Sequence, residues 1–232
     1  MTHDTVGWSQ IRGLIVHCHL LYDAQGAYLI DGGFINAPAR IETSLKRIDR
    51  SWSDLKAILL THGHLDHTLN IKELQERSGA AVYAPKADEA NIAGEYRYHG
   101  ITRFCGWAEA FGRTLLRFRP PSIDHWFKPN EIIPLWGGLQ AIPLPGHTRG
   151  HTGFYSPSHR LLFSADLFAN FGGPPRLSPP WFTVDSPAAK ASLHRAAALD
   201  LKGVSPNHSK NARPQDHLRD LCRLRDRHTA LH

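Results

Sequence analysis

The sequence predicts an α/β protein, on three observations. Its first third alternates apolar runs of strand length with stretches of helical spacing. Its second half is rich in short β-like runs separated by Gly and Pro turns. Two later segments then open like helices, with Pro187 and Pro214 in their first turns. The 232 residues are 41 % hydrophobic and 21 % charged, the make-up of a chain that buries a full core. We expect a single domain over residues 1–232, with a helical, aromatic-rich insertion at about 86–130.

The elements follow in order. Ile11 to Tyr22 consists mostly of strand formers, Asp23-Ala24-Gln25-Gly26 is a turn, and Ala27 to Ile30 reads as the returning strand of a hairpin. Asp31-Gly32-Gly33 ends that strand. Ala39 to Arg50 carries Ile41, Leu45 and Ile48 at helical spacing. Ala57-Ile58-Leu59-Leu60 reads as a buried strand, Leu69 to Ser78 as an amphipathic helix, and Ala80 to Ala84 as a short strand. Ile101, Phe104, Ala108, Phe111, Leu115 and Phe118 then give a long amphipathic helix pattern. The segment is also rich in large aromatics, Tyr96, Tyr98, Phe104, Trp107, Phe111, Phe118, Trp126 and Phe127; core packing is their expected role, and a lid, a pocket wall or a dimer surface is the alternative. Strands are expected over Glu131–Leu135, Leu139–Leu144, Gly153–Ser156 and Arg160–Ser164, and a loop over Phe168–Pro180. A helix follows from Ser186, capped by Ser186 or Asp185, and after a short strand at Val204-Ser205 the last helix opens at Arg213-Pro214.

Composition narrows the class. Cys18, Cys105 and Cys222 are far apart and form no CxxC pair, which supports neither a disulfide framework nor a zinc ribbon. They read as buried filler in a reducing compartment. The polar start, Met1 to Gln10, carries no secretory pattern, and no apolar run nears the ~20 residues that span a membrane. A cytoplasmic protein without membrane contact is expected. The formal charge is +6, with Arg213, Arg219, Arg223, Arg225 and Arg227 contributing near the C-terminus, where a solvated helix face explains them. Nucleic acid is not an expected partner, a small-molecule substrate is, and a homodimer is compatible with the sequence.

Histidine is the outlier, at 16 copies. Thr61-His62-Gly63-His64-Leu65-Asp66-His67 places three imidazoles and a carboxylate in one turn after a strand, donors of the kind zinc accepts. Three further signals stand at predicted strand ends: Pro145-Gly146-His147-Thr148-Arg149-Gly150-His151, Ser164-Ala165-Asp166, and His208. Side chains at strand ends on one sheet edge can converge. Asp31, at a strand end, is either a turn residue or an acceptor for a metal-bound histidine. Thr61 and Thr148 are expected to tie their loops through their hydroxyls.

This ordered set, HxHxDH then His, Asp and His, resembles the metallo-β-lactamase-fold superfamily, in a glyoxalase-II- or lactonase-like branch. The resemblance covers about Asp31 to His208. It implies a four-layer αβ/βα sandwich of two mixed sheets flanked by helices. It implies two divalent ions, zinc foremost, with iron or manganese accepted by the same donors. His62, His64 and His147 would hold one ion, Asp66, His67 and His208 the other, and Asp166 would bridge them. Asp31 would hydrogen-bond a ligand histidine. His151 corresponds to a structural position. His17, His19, His99, His125, His159, His194 and His217 match no motif and read as ordinary histidines.

The implied reaction is hydrolysis. A hydroxide shared by the ions would attack the carbonyl of a small ester, thioester or lactone, with Asp66 and Asp166 as the catalytic carboxylates. True metallo-β-lactamases generally place Cys or Ser where this chain has Asp166. No tyrosine follows Tyr155, which departs from the lactonases. The chain ends soon after His208, leaving a glyoxalase-II-type helical region absent or short. A phosphodiesterase or nuclease using the same two ions is the alternative; β-lactamase activity and a non-hydrolytic metal-binding protein rank below it. Arg149 and Arg176 either meet an anionic group or are solvated. Trp107 to Phe127 and Phe168 to Phe182 are the candidate pocket walls.

Overall fold

The computed structural model describes residues 5–210 and 213–229; Met1 to Asp4, the start of the segment read as a polar, leader-free terminus, lie outside them. The chain forms two compact units. One is built from residues up to Tyr96 and from Trp107–Phe127, the other from Arg97–Gly106 and the chain from Lys128 onward. Each holds one mixed sheet with helices, which is the expected α/β class.

The first sheet has six strands in sequence order: β1 (Gly7–Ile11), β2 (Cys18–Asp23), β3 (Gly26–Ile30), β4 (Leu55–Leu59), β5 (Ala81–Pro85) and β6 (His125–Phe127). β1 to β3 pair antiparallel; β3 to β6 pair parallel. Parallel neighbours need crossovers, and helices supply them: α1 (Ala37–Lys46) before β4, then α2 (Leu65–Thr68) and α3 (Ile71–Ser78) before β5. Leu20, Leu29, Ile41, Leu45, Ile58, Ile71, Leu74 and Val82 form one buried cluster, each worth about 1.5–3 kcal/mol relative to exposure. The stretch Ile11 to Tyr22 is not one strand. The chain bends after Ile11, the Gly13 N–H donates to His17 Nδ1 (3.2 Å), and the returning β2 pairs Cys18 with Ile11. The missing partner is β1, whose Ser9 and Gln10 hide its strand character.

The second sheet runs β11 (Gly203–Pro206), β10 (Leu161–Ala165), β9 (Thr152–Ser156), β8 (Leu139–Pro143), β7 (Ile132–Ile133). Only the β10–β11 pair is parallel. Helices α6 (Ser186–Ala197) and α7 (Pro214–Thr229) cover it through Leu193, Leu221 and Leu224, which join Leu162, Phe168 and Val204 in the second core. Asp185 caps α6 by accepting the Ala188 N–H at 2.9 Å. The arginines of α7 lie on its solvated side, Arg219 paired with Asp216 and Arg223 near Asp220. Cys18 and Cys105 are buried and Cys222 partly so; burial pushes the Cys18 thiol well up from its ordinary value, so it stays protonated at neutral pH.

Between β5 and β6 lie α4 (Glu89–Ala93) and α5 (Arg103–Leu115). Here the core-packing expectation holds for Phe127, which is buried, and for Trp126, which packs against the first core, but fails along α5. Ile101, Phe104, Trp107, Phe111 and Leu115 are 60–69 % exposed. The inward side is the polar one. Cys105 is buried, and the side chains of Glu109 and Arg113 are only 13 % and 11 % exposed. Periodicity identifies which residues share a helix face; it does not say which face turns inward. The physical reason for the inversion is that Glu109 and Arg113 have specific backbone partners, described next. No helix among the described residues is long and apolar enough to cross a membrane.

Candidate metal centre

In the first unit, β3 and β4 end side by side. Asp31 follows β3 in a left-handed conformation, φ 62°, and its N–H donates to the Leu59 carbonyl at 3.0 Å. Its buried carboxylate accepts three hydrogen bonds: the Thr61 N–H (2.9 Å), the Thr61 hydroxyl (2.8 Å) and His67 Nδ1 (2.9 Å). Both readings of Asp31 therefore hold, since it turns the chain and orients a histidine. A threonine hydroxyl has one proton, and Thr61 gives it to Asp31. The 2.9 Å contact from Thr61 Oγ1 to His62 Nδ1 thus has the imidazole as donor. His62 and His67 both carry the proton on Nδ1, which leaves Nε2 as the ligating nitrogen of each.

The turn itself is tightly held. His62 and His67 rings lie 4.1 Å apart and His62 and His64 rings 4.9 Å apart, centroid to centroid. All three histidines are buried. Asp66, on α2, keeps its side chain 25 % exposed with Oδ2 3.7 Å from His67 Nε2. Gly63, between two histidines, is a close-approach glycine: a Cβ there would lie 2.3 Å from Asn91 Cβ. Its N–H donates to Asp88 (3.0 Å), and its carbonyl accepts from Arg113 (3.2 Å). Glu109 accepts the Leu65 N–H at 2.8 Å, one of the first-turn donors of α2. Asn70 reaches back to the Gly32, Gly33 and Phe34 carbonyls. Asp88, Glu109, Arg113 and Asn70 carry no signal in the sequence, because each acts on a residue distant along the chain or through a backbone group.

In the second unit, three strand-end segments meet. Gly146 approaches α6 so closely that a Cβ would lie 2.2 Å from the Ala189 nitrogen. This packs the His147 turn against the helix, and the Asp185 N–H donates to the Gly146 carbonyl at 2.9 Å. Asp166 follows β10 after Ala165, which has φ 48°. Asp166 Oδ2 lies 3.3 Å from His147 Nε2 and 3.0 Å from His208 Nε2. His151, expected to be structural, accepts the Asp166 N–H on Nε2 (3.0 Å) and donates from Nδ1 to the Leu144 carbonyl (2.8 Å). It ties the His147 loop to the backbone of Asp166. His208 is steadied from behind: its carbonyl accepts the Asn170 N–H (3.0 Å), and the Asn170 side chain donates to Asp220 on α7. Thr148 is buried, and its carbonyl accepts the Gly146 N–H. Arg149 and Arg176 are exposed.

Each predicted ligand thus has a defined place within its own unit: His62, His64, Asp66 and His67 together in the first, with Asp31 behind His67, and His147, Asp166 and His208 together in the second. The donors are imidazole nitrogens and carboxylate oxygens, with no thiolate among the predicted ligands, a set suited to zinc, iron or manganese.

Residues 11–208 match the family model of the metallo-beta-lactamase superfamily. The hydroxyacylglutathione hydrolase GloC of Haemophilus influenzae is 30 % identical over 67 % of this chain and 68 % of its own length. A probable metallo-hydrolase of Bacillus subtilis, YflN, is 25 % identical over 88 % of this chain and 83 % of its own. The match to the hydroxyacylglutathione hydrolase of Brucella anthropi, 32 % identical over 65 % of this chain, spans 46 % of that protein. Several curated relatives are thus covered over less than half their length. Among solved structures, a metallo-beta-lactamase family protein from Thermus thermophilus superposes with a TM-score of 0.73 at 23 % identity, covering 97 % of this chain and 80 % of that one. A subclass B3 metallo-beta-lactamase of Bradyrhizobium japonicum gives 0.69 at 18 %, covering 100 % and 92 %. At such identities the likeness is one of fold.

Proposed function

Because this chain belongs to the metallo-β-lactamase superfamily, we propose that it is a metal-dependent hydrolase of small-molecule esters, thioesters or lactones. His62, His64 and His147 would hold one divalent ion, Asp66, His67 and His208 a second, and Asp166 would serve both. The observation that carries this reading is the setting of Asp166. A buried carboxylate oxygen stands 3.0–3.3 Å from two imidazole nitrogens, an arrangement of electron-pair donors that a cation stabilises. The preset tautomers of His62 and His67 support it from the other unit. When bound, the ions supply Lewis acidity, lowering the pKa of a water to roughly 7 and taking up charge that develops on the carbonyl oxygen.

The chain's own residues have separable tasks. Asp31 holds the His67 ring and, through Thr61, the His62 ring, so neither must reorient on loading. His151 fixes the Asp166 backbone. Asp66, partly exposed, is the carboxylate assigned to pass a proton to the leaving group. GloC is named for a hydroxyacyl thioester of glutathione, which makes such a thioester the first substrate to try.

The test is metal analysis of protein purified without added metal, alongside hydrolysis of thioester, ester, lactone, β-lactam and phosphodiester substrates. Two ions per chain, with activity removed by a chelator and restored by zinc, manganese or iron, is expected. Fewer than one ion with no rescue would refute the proposal. Hydrolysis of the phosphodiester alone would transfer the assignment to that chemistry.

A further inference from the structure

Three segments of the second unit carry large exposed apolar side chains, and each is fastened to a proposed metal ligand or to a segment that is. Phe171 is 60 % exposed, and its ring meets the His208 ring edge-on, 6.0 Å between centroids at 62°. Trp181 and Phe182, 43 % and 37 % exposed, sit on a strap with a foot on each of the other two ligands. At one end the Ser178 hydroxyl donates to the Asp166 carbonyl (3.4 Å); at the other the Val184 N–H donates to the His147 carbonyl (3.3 Å). Thr183 closes the strap on itself by donating to the Ser178 and Pro179 carbonyls. Pro179 and Pro180 stiffen it, and Pro180–Phe182 forms a short 3-10 turn. A second such turn, Gly100–Thr102, packs against it and brings Ile101, 63 % exposed.

A lone exposed apolar residue is ordinary, but four on elements anchored to one site are explained better by recognition than by packing. The chemistry of the strap points the same way. From Phe171 to Thr183 the only ionisable side chain is Arg176, whose backbone is paired with that of Ala169; Lys210 packs against Gly172, and Arg227 donates to the Pro175 carbonyl. A hydrocarbon chain would cover the half-exposed rings, which are held in place before binding.

We propose that Phe171, Trp181, Phe182 and Ile101 form a platform that selects substrates with an apolar acyl chain over short or polar acyl groups. The inference rests on the hydrolase reading above and adds the substrate class. The test uses the metal-loaded full chain and p-nitrophenyl esters from acetate to decanoate, with a hydroxyacyl glutathione thioester as polar comparison. Each added methylene should raise kcat/KM about two- to fourfold, the range between partial and full burial of a CH₂. Trp181→Ala with Phe182→Ala should lower the decanoate value more than tenfold through KM and leave acetate within about twofold. A flat chain-length profile, a preference for the polar thioester, or an equal loss on acetate and decanoate would overturn the platform.

A second measurement separates this proposal from its premise. Decanoate and butanoate are titrated against intrinsic fluorescence, with Trp181→Phe as the blank. Tighter decanoate binding, with a change that the blank lacks, supports the platform even if no ester in the series is cleaved, in which case the hydrolase reading alone fails. Equal binding of the two acids, or no Trp181-dependent change, overturns the platform whatever the activity.

Discussion

The two units prepare their candidate ligands in opposite ways. The first takes four from a single turn and aligns them with side chains: the Asp31 carboxylate and Thr61 hydroxyl set two tautomers directly. The second takes three from separate strand ends and aligns them mainly through backbone: His151 on the Asp166 N–H, Asn170 on the His208 carbonyl, Val184 on the His147 carbonyl. A ligand cluster that is local in sequence needs help orienting its rings. One assembled from distant segments needs help placing its main chain. Mutations should therefore damage the first unit's set through metal affinity and the second unit's set through stability, unless they remove a ligand outright.

The largest effect is expected where that distinction vanishes. Asp166→Ala removes the oxygen near both His147 and His208, and should lower activity on the order of 10³-fold or more, beyond the 10- to 100-fold typical of outer-sphere changes. Metal content should drop in parallel; unchanged content and turnover would refute the shared-ligand role. Next comes Asp31→Asn. Asparagine tolerates the left-handed backbone, but its amide cannot accept all three hydrogen bonds. A 10- to 100-fold loss of metal affinity is expected, read by competition with a chromogenic chelator, with little change in the melting temperature of the metal-saturated protein.

His151→Ala is the counterpart in the second unit and should show the reverse. It strands the Asp166 N–H and the Leu144 carbonyl in a buried setting, at about 1–3 kcal/mol, so the denaturation midpoint should fall while metal stoichiometry at saturation holds. If affinity falls as steeply as in Asp31→Asn, the contrast between the units is wrong. Smallest is Asp185→Ala, which removes the α6 cap at about 1 kcal/mol but keeps the backbone bond to Gly146. Asp185→Ser should restore most of the stability, and metal binding should not move in either variant.

The same contrast explains what can be read from the chain alone. The His62–His67 turn is legible because its donors are adjacent and follow an obvious apolar strand. His147, Asp166 and His208 are legible only through their order and flanks, since nothing in their spacing marks them. Most elements follow from periodicity and turns. β1 escapes notice because Ser9 and Gln10 interrupt its pattern, and Ile11 to Tyr22 reads straight through a bend. The supporting shell is invisible: Asp88, Glu109 and Arg113 serve backbone groups of the turn from 25 to 50 positions away, and no local pattern encodes such a contact.

The inside-out helix α5 has a consequence for how this protein can change. Its inward Glu109 and Arg113 hold the histidine turn, while Trp107, Phe111 and Leu115 face outward with most of their surface in water. The residues that keep the turn in shape and the residues that meet the surroundings are thus different letters of the same helix. Substitution along the outer stripe can proceed with little penalty to folding. An engineer seeking higher solubility, or a lineage drifting toward a new surface chemistry, has a ready-made set of positions there, one turn of helix away from positions that tolerate almost nothing.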